Sequence, residues 1–208
     1  MGFSTLIDIL GSTLIGSLLL MILLRLHSAS ASNVDQYASD LVVQQNLVSI
    51  VEVLENDFRK IGYSRDWTKI PDPTKAIIYA DKHKIGFYTD IKNKGTVDQV
   101  FYIYDINNPI TSSKNPNDHY LYRSVNSVMP RGVNLGVTKF ELRYFDALGD
   151  TIVTPVANTG AIASIEINIR VETPWGFWVS QTDSVIQSEY PAVFWKQIRL
   201  AAKNLRNR

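Results

Sequence analysis

The chain has 208 residues, a formal net charge of +1 and no cysteine. A near-zero charge supplies no basic surplus for nucleic acid, and the missing thiols exclude disulfides, thiolate metal sites and cysteine catalysis. With 45% hydrophobic and 20% charged residues, ten Tyr, eight Phe and four Trp, the composition suits one folded domain with a core, once an apolar N-terminal stretch is set aside.

Residues 3–24, FSTLIDILGSTLIGSLLLMILL, hold one ionisable side chain, Asp8, and are followed by Arg25 and His27. As a helix this stretch spans about 33 Å, against about 30 Å for the hydrocarbon core of a bilayer. Residues 1–26 therefore read as a transmembrane anchor helix. A cleaved signal peptide and a buried soluble helix are the alternatives. Residues 29–32, ASAS, imitate a cleavage site, but no basic residue precedes the apolar run, which exceeds the usual length of about 7–15 residues. A carboxylate at the bilayer centre costs about 2.5–3.5 kcal/mol, so Asp8 either sits hydrated at the headgroup level or pairs with a cation on a neighbouring helix. Gly11, Ser12, Gly16 and Ser17 are small enough to let such a helix come close.

Residues 27–62 read as an amphipathic helix continuing into the globular domain. Tyr37, Leu41, Leu47, Val48, Val51, Leu54, Phe58 and Ile61 recur at helical spacing, with Asp40, Gln45, Glu52, Glu55 and Arg59 on the other face. Gly62 stands where a left-handed residue ends a helix. The intervening HSASASN either continues the helix or loosens it.

From residue 63 to 208 the pattern changes to strands, at residues 75–81, 84–90, 98–105, 119–125, 138–146 and 162–172. In TKFELRYF, Phe140, Leu142 and Tyr144 alternate with Lys139, Glu141 and Arg143. Ile165, Ile167, Ile169 and Val171 alternate likewise with Glu166, Asn168 and Arg170. Turn-rich separators between successive strands imply an antiparallel meander. The last segment, AVFWKQIRLAAKNLRNR, fits either a short basic helix or a last strand, and the strand, as far as Leu200, is the expectation taken. The expected architecture is α+β: a long N-terminal helix, its first half transmembrane, packed on an antiparallel β-sheet domain.

No catalytic, cofactor or metal motif emerges. His27, His83 and His119 are far apart in sequence, and residues 90–98 place Lys92 and Lys94 where a calcium loop needs oxygen ligands, so that segment reads as a hairpin turn. The pairs Phe87-Tyr88, Phe101-Tyr102 and Tyr144-Phe145 put one ring on each sheet face. Trp175 and Trp178, in WGFW after Pro174, are candidates for a partner contact in an exposed loop.

FSTLIDILGSTLIGSLLL resembles the N-terminus of type IV pilin-like proteins: an aromatic residue, a short apolar stretch, an acidic residue and a long apolar helix. RKIGY at residues 59–63, YTDIKNKG, LYR at 121–123 and GVTKFELRYFDxxG at 136–149 are similar to W-type minor pilins and the J-type pseudopilins of type II secretion. The resemblance covers most of the chain from Phe3 to about Val171. It implies cleavage by prepilin peptidase after Gly2, a mature N-terminus at Phe3, and an assembly role for Asp8. Counted from Phe3, Asp8 is the sixth residue where the family has its acidic residue fifth, a difference of about 100° around a helix.

The resemblance further implies a structural subunit of a type IV pilus-like or type II secretion filament, not an enzyme. It would be held by a single pass in the cytoplasmic (inner) membrane, with its C-terminal domain extracytoplasmic or in a cell-surface filament. Its partners would be other pilin or pseudopilin subunits and inner-membrane lipid, with no nucleic acid, small-molecule substrate or cofactor. The alternative is a single-pass, membrane-anchored extracytoplasmic receptor or binding protein.

Overall fold

The computed structural model describes residues 2–70, 72–126, 128, 131–133, 135–174, 177–178, 188–189 and 193–201. The chain divides into two compact units, Met1–Leu41 and Val42–Arg208. One helix, α1 (Gly2–Arg59), provides all of the described first unit and opens the second. HSASASN is helical throughout. Arg59 ends the helix, and the chain then turns through N–H bonds from Lys60 to the Asp57 carbonyl and from Ile61 to the Phe58 carbonyl. Gly62 follows at φ 72°, a left-handed conformation that glycine adopts without penalty, and its N–H reaches the Tyr88 carbonyl at 2.9 Å.

In the second unit the helix packs on antiparallel sheets, an α+β architecture. Strands β1 (Ile77–Ala80), β2 (Lys84–Thr89), β3 (Asp98–Pro109), β4 (His119–Val125) and β5 (Arg131–Val133) form a five-stranded meander in chain order. Strands β6 (Val137–Phe145), β7 (Thr151–Ile152), β8 (Ser164–Glu172) and β11 (Val193–Ala201) form a second sheet in the order β11-β8-β6-β7, and β9 (Phe177–Trp178) pairs with β10 (Ser188–Glu189). The meander expected from the turns thus holds only as far as β5. Gly136, at φ 72°, begins the new sheet, and its carbonyl accepts the Glu172 N–H at 2.8 Å. A Cβ at Gly136 would lie 2.2 Å from the Glu172 carbonyl oxygen, so only glycine fits. The last segment is a strand, β11, as its β-branched and aromatic residues suggest.

The core lies between the helix and the sheets. Phe140, Leu142 and Tyr144 of β6 and Ile165, Ile167, Ile169 and Val171 of β8 are buried, as their alternation requires. Phe58 meets Phe87 edge-on and Tyr102 at a tilt, with ring centroids 5.6 Å apart in each case. The buried helical stripe is Val43, Ile50, Leu54, Asp57, Phe58 and Ile61, with Leu47 and Val51 partly covered. Val48, placed on this face by spacing alone, is 64% exposed, and Tyr37 and Leu41 are exposed as well. The expected face is therefore rotated toward Val43 and Ile50.

Asp57 is a charge inside that stripe. Its Oδ2 accepts from the Tyr102 hydroxyl at 2.6 Å and from Arg123 Nε at 2.7 Å. Burial first, then the Asp57 carboxylate, pushes the Tyr102 hydroxyl up from its ordinary value of 10.0, so it stays protonated and donates. Hydrogen bonds to a charged group contribute about 1.5–3 kcal/mol, and the partial exposure of Arg123 places its share at the low end. The three side chains fix the rotation of the helix against β3 and β4.

Phe58→Ala is expected to lower the unfolding free energy of the second unit by about 3–5 kcal/mol and Leu54→Ala by about 2–5 kcal/mol. Val48→Ala should change it by less than about 0.5 kcal/mol. Chemical denaturation of the three variants measures this, and a loss at Val48 equal to that at Leu54 would contradict the observed stripe.

Candidate functional site

The first unit carries the most unusual surface of the chain. Among the described residues, one helix is long and apolar enough to cross a membrane. Phe3 is 81% exposed, and every large apolar side chain from Leu6 to Leu26 is more than half exposed. Four hydroxyls on this segment are turned inward. Thr5, Ser12, Thr13 and Ser17 donate to the carbonyls of Gly2, Ile9, Leu10 and Leu14 at 2.8–3.1 Å, which satisfies them without water.

Asp8 is treated differently. It is exposed, and it makes no hydrogen bond or ion pair among the described residues. Ser12 and Gly16 follow it at intervals of four residues, so all three lie along one stripe of the helix. A Cβ at Gly11 or Gly16 would meet nothing within 4 Å. Gly2, Phe3 and Asp8, the residues singled out for processing and assembly, share the first two turns of α1. Arg25 and His27 then mark the polar end of the apolar run. Of the proposed Trp contact, Trp175 lies outside the described residues, whereas Trp178 belongs to β9 opposite Ser188 and so is strand where a loop was expected.

The second unit brings His83 and His119 to one cleft of about 270 Å³ at the junction of the two sheets, although they are 36 positions apart in sequence. The Tyr104 ring stands beside both, with centroid distances of 5.9 and 5.4 Å. The Nδ1 of His83 meets the Phe140 carbonyl at 2.8 Å, and that of His119 meets the Asn117 carbonyl at 2.7 Å, so both rings are held by the backbone. No set of three His, Asp or Glu side chains able to hold a metal ion occurs among the described residues. The cleft belongs to a buried polar seam. Glu172 pairs with Arg170 and accepts from Asn115 Nδ2 at 2.9 Å, while Asp118 accepts from the Ser113 hydroxyl. Burial, only partly offset by that hydroxyl, pushes the Asp118 carboxyl above its usual range. These contacts fasten the loop between β3 and β4 to the end of β8. Sequence spacing gave no sign of the seam, since its members are 57 residues apart.

Asp90 organises the turn at residues 90–98. Its carboxylate is fully buried and already accepts the N–H groups of Gly95 at 2.7 Å, Lys94 at 3.0 Å and Arg65 at 3.4 Å. Asn93 and Gly95 take the left-handed conformations that the turn needs, at φ 54° and 78°. Desolvation raises the Asp90 carboxyl, but the N–H donors of Lys94, Gly95, Arg65 and Asn93 outweigh it and hold the group below its ordinary value of 3.8.

No family model, no curated protein and no solved structure matches the chain.

The Asp90 geometry fixes a pH dependence. A carboxyl with a lowered folded value contributes stability that is full above its unfolded value of 3.8 and is lost as the pH falls through the folded value. Asp90→Asn should therefore destabilise the second unit at neutral pH, and the difference from the wild type should shrink as the pH approaches about 2. Urea unfolding followed by tryptophan fluorescence at both pH values measures it. A difference that grows on acidification would contradict the hydrogen-bonded turn.

Proposed function

We propose that the chain is a structural subunit, a minor pilin or pseudopilin, of a filament anchored in the cytoplasmic (inner) membrane, as in a type IV pilus or a type II secretion system. The observation that carries this reading is the bare apolar surface of residues 3–24 with Asp8, which has no partner among the described residues, on a stripe of small residues. On a lone transmembrane helix that carboxylate is a cost. Among packed helices it meets a cation of a neighbouring subunit, such as the α-amine freed when the bond after Gly2 is cut. The inward-turned hydroxyl of Ser12 and the bare Gly16 leave room for the approach.

The same surface serves two environments in this reading. Before assembly it rests in lipid as a single-pass anchor, with the β-rich unit on the extracytoplasmic side. In the filament it packs against the helices of other subunits. The subunit works by burial and carries out no reaction.

Asp8→Ala and Asp8→Asn are expected to reduce incorporation into sheared filaments at least tenfold, while membrane insertion and the unfolding midpoint of the second unit stay unchanged. Removing one member of a buried charge pair costs about 3–5 kcal/mol, enough for that loss. Normal incorporation of both variants, measured by shearing and blotting, would leave Asp8 as a hydrated residue at the membrane edge.

A further inference from the structure

The most exposed large apolar side chain among the described residues is Leu148, at 88%. It stands in the turn between β6 and β7, and that turn is ordered from within. Asp146 Oδ1 accepts the N–H groups of Leu148 and Asp150, each at 2.9 Å, and the Asp146 N–H donates to the Asp150 carbonyl at 3.0 Å. Gly149 supplies the left-handed φ of 92° that closes the turn. A knob held out on a preordered turn loses little freedom when a partner buries it.

An apolar hole of about 180 Å³ lies at the start of the same strand. Ile50 and Leu54 of α1, Leu121 of β4, Leu135 and Val137 line it, and Val53, 46% exposed, stands at its rim. An apolar cavity of about 150 Å³ admits a benzene molecule, so a leucine side chain fits this one. Two polar groups of the lining are already committed: the Ser49 hydroxyl donates to the Gln45 carbonyl at 2.8 Å, and the Tyr102 hydroxyl to Asp57 at 2.6 Å. Arg123 also lines the hole. It donates to Asp57 and Tyr102 through Nε, while its two Nη groups make no hydrogen bond among the described residues.

Val137 opens β6 at the hole and Phe145 ends it at the turn, so hole and knob are separated by about 27 Å at about 3.3 Å per residue. They cannot meet within one chain. Between chains their polar edges match, because residues 146–150 carry two carboxylates and no basic residue, and the hole presents guanidinium N–H donors. An acyl chain would fill the hole but leave those donors unmet. We propose that the occupant is the β6–β7 turn of a second copy of this chain: Leu148 enters the hole and Asp150 accepts from the Nη groups of Arg123. A knob and a hole on different surfaces make a heterologous contact, which repeats head to tail. The insertion concerns the second unit alone, whereas the head-to-tail repeat deepens the filament reading and rests on it.

The test uses full-length Leu148→Cys and Val53→Cys chains in separate phosphatidylcholine nanodiscs, each with its own tag, mixed and oxidised; the natural chain has no cysteine to compete. The mixed disulfide should form at least tenfold faster than one between Val53→Cys and Ser112→Cys, an exposed position on another loop, and at least tenfold faster than a homodimer of either variant. Asp150→Lys in the Leu148→Cys chain should slow it at least threefold without moving the unfolding midpoint. A chain carrying both cysteines should give a ladder extending beyond dimers. A mixed disulfide no faster than the Ser112→Cys control would overturn the insertion, and a rate that Asp150→Lys leaves unchanged would overturn the Arg123 contact. Products that stop at dimers would overturn the head-to-tail repeat. No filament is present in the mixture, so failure of the insertion leaves the Asp8 prediction standing, and failure of that prediction leaves the insertion standing.

Discussion

Fifteen large apolar side chains between Phe3 and Leu26 stand more than half exposed, and everything else about this protein must accommodate them. At about 1.5 kcal/mol or more for each such side chain, leaving them in water costs on the order of 20 kcal/mol. Folded domains are stable by only about 5–15 kcal/mol. A segment like this needs lipid or other helices around it, and its chemistry suits both. The hydroxyls of Thr5, Ser12, Thr13 and Ser17 are satisfied by the helix itself, Gly11 and Gly16 leave its surface open, and the Asp8 carboxylate lacks a partner among the described residues.

From Val42 onward the same helix obeys a different rule. Burial there is complete along one stripe, and the Asp57 carboxylate within it joins Tyr102 and Arg123, so the sheet accepts the helix in one rotation only. The division of labour is physical. Residues 3–24 are apolar around the helix except at Asp8, whereas the buried stripe from Val43 to Ile61 belongs to an amphipathic and locked stretch. The proposed filament subunit, which would change surroundings while its folded unit stays intact, is consistent with this arrangement.

Much of the fold was legible because alternation is a strong signal. Phe140, Leu142 and Tyr144 identify their face of β6, and the turn around Asp90 is readable from lysines occupying the positions of calcium ligands. The helix face was read one step out of phase. Val48 fits the apolar spacing but lies outside the stripe, while Val43 and Ile50 were passed over, since a helix rich in Val and Leu on several sides allows more than one face. Asp57 was passed over in the sequence, because its partners come from strands 45 and 66 residues away. The split into two sheets turns on Gly136, whose significance lies in the backbone of Glu172 and not in any local pattern. The short strands β5 and β7 are set by pairing with longer neighbours, which periodicity cannot register.

The central claim is that residues 3–24 pass from lipid into a packed set of helices with the Asp8 stripe facing inward. The chain has no cysteine, so single cysteines can be placed along this segment and cross-linked in assembled material without a background. Cross-linking to neighbouring subunits should rise and fall with the helical repeat of about 3.6 residues, peaking at Ser12→Cys and Gly16→Cys. No intersubunit cross-link at any position, with the chain behaving as a lone membrane helix, would contradict the account.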